Sequence, residues 1–123
     1  MITRLAACAG AVAVVLGAFG AHGLKSVLTF DQLSSWKTAV LYMFIHSIVL
    51  LILGLQYDLQ KSIVIRQSAW LLFAGIICFS GSIVLLVLQD YLGINLRWLG
   101  PVTPVGGLLF IAGWLNLLRM KRD

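Results

Sequence analysis

Four stretches of this chain, residues 5–24, 38–57, 67–89 and 98–118, contain no Asp, Glu, Lys or Arg. A helix needs about 20 mostly apolar residues to cross a hydrocarbon layer of ~30 Å, so each stretch is long enough to cross a bilayer once. Barrel strands are excluded by the same pattern. A membrane strand shows about ten residues of alternating polarity, whereas these runs are continuously apolar. Only helices satisfy their own backbone polar groups in lipid. The sequence therefore predicts an all-α integral membrane protein, a bundle of four transmembrane helices in a single domain.

Composition agrees: 61% of residues are hydrophobic and 11% charged, where soluble domains average roughly a quarter charged. A net charge of +5 would suggest nucleic-acid binding in a soluble domain. Here the basic residues lie between or beyond the apolar runs, which is flank chemistry for membrane spans, and no nucleic-acid partner is expected. If the spans alternate from a cytoplasmic N-terminus, Arg4, Lys61, Arg66, Arg119, Lys121 and Arg122 fall on the inner side. Lys25, Lys37 and Arg97 fall on the outer side. The bias predicts both ends inside. Trp36, Tyr91 and Trp98 at the outer headgroup level, and Tyr57 and Trp70 at the inner, fit the same boundaries.

Arg4 followed by an apolar run ending in small residues resembles a secretory signal, but the run is long enough to span and is read as the first helix. Leu5-Ala6-Ala7-Cys8 mimics a lipoprotein acylation box yet precedes the apolar region instead of following it. Thr29-Phe30-Asp31-Gln32 has the spacing of a helix capping box, so the second helix is expected to begin near residue 30, with 30–37 at the interface. Before the last span, Pro101 and Pro104 lack amide hydrogens and disfavour helix in the residue before them. The simplest arrangement has Thr103 as cap and Pro104 at the first helical position. The fourth helix is then short or Pro-interrupted, spanning residues 103–118.

Helices in lipid gain nothing hydrophobic by meeting, so small residues that permit close approach should mark their seams. Gly10, Gly17 and Gly20, with Ala6, Ala13 and Ala21, recur at spacings of three and four on the first helix. Gly75, Cys78 and Ser82 do so on the third, with Gly81 beside them, and Gly106 and Gly113 lie two turns apart on the fourth. Cys8 and Cys78 lie inside apolar runs without a Cys-x-x-Cys or Cys/His cluster, so they read as small buried hydrophobes, not as a disulfide or a zinc site.

Chemistry inside the membrane is sparse. With no charged residue in any span, proton-coupled transport and voltage sensing lack their usual intramembrane charge. Paired-carboxylate and nucleophilic catalysis lack their parts too, because Asp31, Asp58, Asp90 and Asp123 lie in loops or at the end. Two histidines remain. His46 sits about two turns inside the second helix with Tyr42 one turn earlier on the same face and Ser47 alongside; His22 sits at the outer end of the first. Each reads either as a packing histidine that donates one ring hydrogen bond or as a ligand-binding or proton-handling group. Their depths differ by roughly 10 Å, which argues against a haem held between them, and no metal or other cofactor is called for.

Several motifs resemble one family. Gly17-Ala18-Phe19-Gly20-Ala21-His22-Gly23-Leu24, Thr38-Ala39 with Tyr42 and His46, Phe79-Ser80-Gly81-Ser82, and Thr103-Pro104-Val105-Gly106-Gly107 followed by Ala112-Gly113-Trp114 are similar to the small bacterial inner-membrane proteins of uncharacterised protein family 0382, also called domain of unknown function 423. The resemblance covers essentially the whole chain. It implies a four-helix membrane protein of the plasma membrane and supplies no activity. It marks His22, Tyr42, His46, Gly81, Thr103 and Pro104 as positions to test. Matched depth places these with Ser47 and Ser82 around one candidate polar pocket in the outer half of the bundle. The function expected is a non-enzymatic module that binds a lipid or small apolar solute, or supports a membrane complex. The alternative is a small channel or transporter assembled from several copies; an enzyme using His46 as base comes last.

Overall fold

Thr29 and Gln32 show how the longest helix starts. In a computed structural model of the chain, which describes residues 1–120, the Gln32 amide donates to the Thr29 hydroxyl at 3.2 Å and the Thr29 amide to the Gln32 side chain at 3.0 Å. This capping box opens α2, Phe30–Gln60. At 1.5 Å per residue its 31 residues measure about 46 Å, well beyond the ~30 Å hydrocarbon, so both ends stand in the interfaces. Before it runs α1, Ile2–Ala21. After it come α3, Ile63–Leu92, a short 3-10 turn at Arg97–Leu99 and α4, Val102–Leu117. Among the described residues no strand occurs, and four helical segments are long and apolar enough to cross a membrane. Lys121, Arg122 and Asp123, two of them basic residues assigned to the inner side, lie outside the described residues.

Helix α2 is the spine of the bundle. It packs α1 on one side and α3 on another, and α4 lies along α3. Between α2 and α3 the chain turns at Lys61, a non-glycine in the left-handed region (φ 53°) whose amide still donates to the Tyr57 carbonyl. Helix α3 ends at Gly93 (φ 66°), after which the Ile94 amide reaches the Gln89 carbonyl at 3.1 Å. Such a bond satisfies a carbonyl that the helix itself leaves orphaned.

The seams run through glycines. On the α1–α2 face, a Cβ at Gly20 would lie 2.7 Å from the Trp36 indole, and one at Gly54 would lie 2.7 Å from the Thr3 methyl. A Cβ at Gly10 or Gly17 would meet Ser47 or Val40 at ordinary contact distances of 3.4 and 3.5 Å. Gly20 makes room for Trp36, which is 2% exposed and donates its indole N–H to the Leu16 carbonyl at 2.8 Å. Trp36 is thus a core residue tying α1 to α2, where an interfacial position was expected. Between α3 and α4 the approach is closer still. A Cβ on Gly75 would lie 2.6 Å from the Phe110 ring, and one on Gly113 2.6 Å from Leu72. At Gly106 a Cβ would press on the Phe79 amide nitrogen and stand 2.7 Å from the Cys78 carbonyl carbon.

That contact falls where α3 changes geometry. Ile76–Gly81 is wound as a π-helix, one widened turn inside an otherwise α-helical span. A widened turn re-aims the side chains that follow it and recurs at functional sites. Two further expectations are corrected at α4 and α1. Thr103 does not cap α4: Pro101 occupies the cap, the helix begins at Val102, and Pro104 sits within the first turn, where no intrahelical amide bond is lost. Cys8 is exposed on the outward face of α1, not buried, whereas Cys78 is half-buried. The non-helical stretch before α4 is held by protein, with the Leu96 amide on the Gln89 side chain at 3.1 Å and the Arg97 amide on Asn95 at 3.1 Å.

Candidate functional site

Tyr42, His46 and most of the other intramembrane polar groups lie on the α2–α3–α4 face. Tyr42 and His46, four residues apart, project from one side of α2. Phe79 reaches them from the π segment of α3, and Phe110 and Trp114, again four apart, from α4. The His46 ring stacks on Phe110 with centroids 3.8 Å apart and planes 14° from parallel. Tyr42 lies 4.7 Å from Phe79 and 5.9 Å from His46. Trp114 meets His46 edge-on and donates its indole N–H to Nε2 at 3.2 Å. An indole can only donate, so Nε2 is the acceptor and the ring proton resides on Nδ1, 2.7 Å from the Tyr42 carbonyl. Both nitrogens of His46 are therefore engaged, and its one free lone pair is taken by Trp114. A histidine held this way orders α4 against α2. To act as a base it would first have to release the indole.

A second knot lies further along α3, toward Leu92. The Ser82 and Thr103 hydroxyls are 2.6 Å apart, and Ser82 also donates to the Phe79 carbonyl at 3.0 Å. Ser80, fully buried, donates to the Ala39 carbonyl of α2 at 2.7 Å. At the opposite end, Asn116 of α4 donates to the Val64 carbonyl at 3.2 Å and to the Ser68 hydroxyl at 3.0 Å. Among the described residues no buried side-chain nitrogen or oxygen is left without a partner.

The candidate positions divide accordingly. Tyr42 and His46 share the aromatic cluster, and Ser82 with Thr103 forms the hydroxyl pair, linked to that cluster through Phe79. Ser47, although next to His46, faces the other way: it donates to the Phe44 carbonyl at 2.7 Å and packs on Gly10 of α1. His22 is exposed just past the end of α1, where its amide donates to the Ala18 carbonyl. Pro104 is exposed and Gly81 looks onto open space, with nothing within 4 Å of a Cβ built there. Reasoning from sequence missed Phe110, Ser68 and Asn116. Phe110 carried a usable signal, since it lies one turn beyond Gly106 and one before Trp114; Asn116 carried another, as the last strongly polar side chain inside an apolar run.

A large open cavity lies elsewhere. It measures about 850 Å³ and lies where α2 ends and α3 begins, lined by Tyr57, Arg66, Gln67, Trp70 and Leu71 among others.

Comparison with known proteins agrees with this architecture. The family model described as "Protein of unknown function (DUF423)" matches residues 16–107. A UPF0382 membrane protein of Staphylococcus aureus (strain bovine RF122) is 45% identical over 107 residues, covering 87% of this chain and 83% of the relative. One from Staphylococcus haemolyticus gives the same figures, and one from Staphylococcus saprophyticus is 44% identical over 107 residues, covering 84% of that relative. No solved structure matches. With four apolar helices and relatives named as membrane proteins over most of its length, this chain is a multi-pass membrane protein that belongs to the DUF423/UPF0382 family, whose biochemical function is unknown.

Proposed function

We propose that the protein is a non-catalytic module of the membrane that holds a lipid and presents a rigid helical surface to other membrane components. One observation carries this reading. The polar groups within the spans are spent on one another or on backbone carbonyls, at His46, Ser80, Ser82, Thr103 and Asn116. Catalysis needs a nucleophile or base with a free lone pair facing space for a substrate, and conduction needs polar groups lining a wet path. Here those groups face inward and bind each other, while the exposed surface of the spans is largely apolar, with Phe19, Ile52 and Leu108 each more than half exposed and Tyr42 only partly so. An oligomeric channel would have to build its path from such apolar faces.

The orientation that fits best has both ends inside, supported by Arg4, Lys61, Arg66 and Arg119 at one end of the bundle. Reconstituted vesicles test the reading. Flux of protons, alkali cations and small anions should equal that of empty vesicles, and lipid should remain bound through detergent purification. A conductance or uptake above background that is lost in His46→Ala would sink it. Labelling of the two ends on opposite faces would sink the orientation.

A further inference from the structure

The cavity of about 850 Å³ exists because α1 and α3 both pack on α2 without closing the angle between them at the Met1 end of α1. Its volume lies within the range of small-molecule sites, about 300–1,000 Å³. Its lining is graded along one face of α3. Arg66 and Gln67 sit at the mouth in the first turns of the helix, Trp70 one turn deeper, and Leu71 and Ala74 below. From Arg66 to Ala74 is eight residues, a descent of about 12 Å. A polar rim, an aromatic collar and an apolar floor match a molecule with a charged head and a hydrocarbon tail.

Charge decides which head. Asp58 also lines the cavity, but its carboxylate is 3.6 Å from the Lys61 ammonium, so that acid already has its counter-charge. Arg66 is exposed and forms no ion pair among the described residues. Its planar guanidinium offers paired donors that suit a phosphate in two-point contact. Trp70 is 41% exposed at this level, the depth at which indoles favour headgroup contact. Basic pockets between spans on the cytoplasmic side are a recurrent means of holding acidic headgroups.

We propose that this cavity is a binding site for one anionic phospholipid of the surrounding leaflet, its phosphate on Arg66 and one acyl chain along Trp70, Leu71 and Ala74. The proposal rests on the lipid-holding reading above and assigns it a site and a headgroup class.

The test is native mass spectrometry of the purified full-length protein in detergent, titrated with dioleoyl phosphatidylglycerol or dioleoyl phosphatidylcholine. One tightly retained phosphatidylglycerol is expected, favoured over phosphatidylcholine by about fivefold, the effect of a single basic residue at the membrane surface. Arg66→Gln should abolish that preference, and Arg66→Lys should keep most of it, which separates charge loss from misfolding. Leu71→Trp, which fills the floor, should lower retention of both lipids. Arg4→Gln, at the same end but outside the cavity, should change nothing. Equal binding of the two lipids by the parent protein would overturn the site, as would an Arg4→Gln loss as large as that of Arg66→Gln. If lipid stays bound and Leu71→Trp does not weaken it, the site falls while the lipid-holding reading survives. If neither lipid is retained, both fall together.

Discussion

Replacing Gly106 by alanine tests the closest approach in the bundle. The added methyl would press on the Phe79 amide nitrogen and lie 2.7 Å from both the Cys78 carbonyl carbon and the Phe79 Cα, all of them main-chain atoms. Ordinary contact begins near 3.4 Å, so the two 2.7 Å contacts alone require α4 to retreat by at least roughly 0.7 Å at this level, and the closer Phe79 nitrogen requires more. The displacement reaches Phe110 one turn on, which fills the space over Gly75 and stacks on His46 at 3.8 Å. A gap of 0.5–1 Å forfeits about a quarter to a half of a dispersion contact, and in lipid no hydrophobic term offsets the loss. Overpacking of this kind costs about 1–3 kcal/mol. Because main chain cannot rotate aside, Gly106→Ala should fall at the upper end, ~3 kcal/mol.

Its neighbour Gly81 supplies the contrast. Nothing lies within 4 Å of a Cβ at Gly81, and glycine inside a helix costs roughly 0.5–1 kcal/mol relative to alanine. Gly81→Ala should therefore be neutral or stabilising. Gly113→Ala should lie between them, because its obstacle is the Leu72 side chain; Leu72→Val should relieve it, whereas no side-chain change at Phe79 relieves Gly106→Ala. Unfolding by sodium dodecyl sulfate in mixed micelles, followed by tryptophan fluorescence, gives the ranking. If Gly106→Ala unfolds at the parent midpoint, or Gly81→Ala proves the more damaging, the packing of α4 on the π segment is not as described.

The same assay reads the polar knots. His46→Phe keeps a ring against Phe110 but leaves the Trp114 N–H without its acceptor, which should cost about 1–3 kcal/mol. Adding Trp114→Phe to it should recover most of that loss, and a catalytic histidine would show no such recovery. For the Ser82–Thr103 pair, a double-mutant cycle with Ser82→Ala and Thr103→Val should give a coupling of ~0.6 kcal/mol, and at most about 1.7 kcal/mol, the range for hydroxyl bonds between membrane helices; no coupling would mean that the 2.6 Å contact does not tie the helices.

How much of this was legible beforehand depends on the kind of signal. Charge-free length marks a span whatever it packs against, and the Thr29–Gln32 box is a purely local device, so helix number and the start of α2 could be read directly. Seam glycines at regular spacing were legible too, but Gly54, alone among large aliphatic residues, was not, although Thr3 of α1 packs straight onto it. Depth is readable from sequence, whereas direction is only partly so. Tyr42 and His46, four apart, share a face. Ser47 is one residue further, about 100° around the helix, and that rotation turns it to α1. Trp36 stands beside Lys37 and so resembles an interfacial indole; only the facing Gly20 reveals that it can be swallowed. The π turn at Ile76–Gly81 had no legible signature, since it arises from the fit of α3 between α2 and α4, and that fit is a tertiary fact.

The polar contacts share one arrangement across the bundle. Trp36 bonds α2 to the Leu16 carbonyl one turn from Gly20, Ser82 and Thr103 bond α3 to α4 one turn from Gly106, and Trp114 bonds α4 to His46 beside Gly113. Glycine brings two helices within reach, and a single directional bond then selects one register among several that van der Waals contact alone would accept. Each bond is too weak, at ~0.6 kcal/mol on average, to hold the bundle together, yet a slip of one residue along either helix breaks it and strands a polar group in lipid. Such a body is specific by construction. The wedge between α1 and α3 lacks this arrangement: Arg66 lines open space there and has no ion pair among the described residues. If the molecule meets a ligand, the charge at that mouth, without an ion pair among the described residues, is where its own packing leaves a bond to be made.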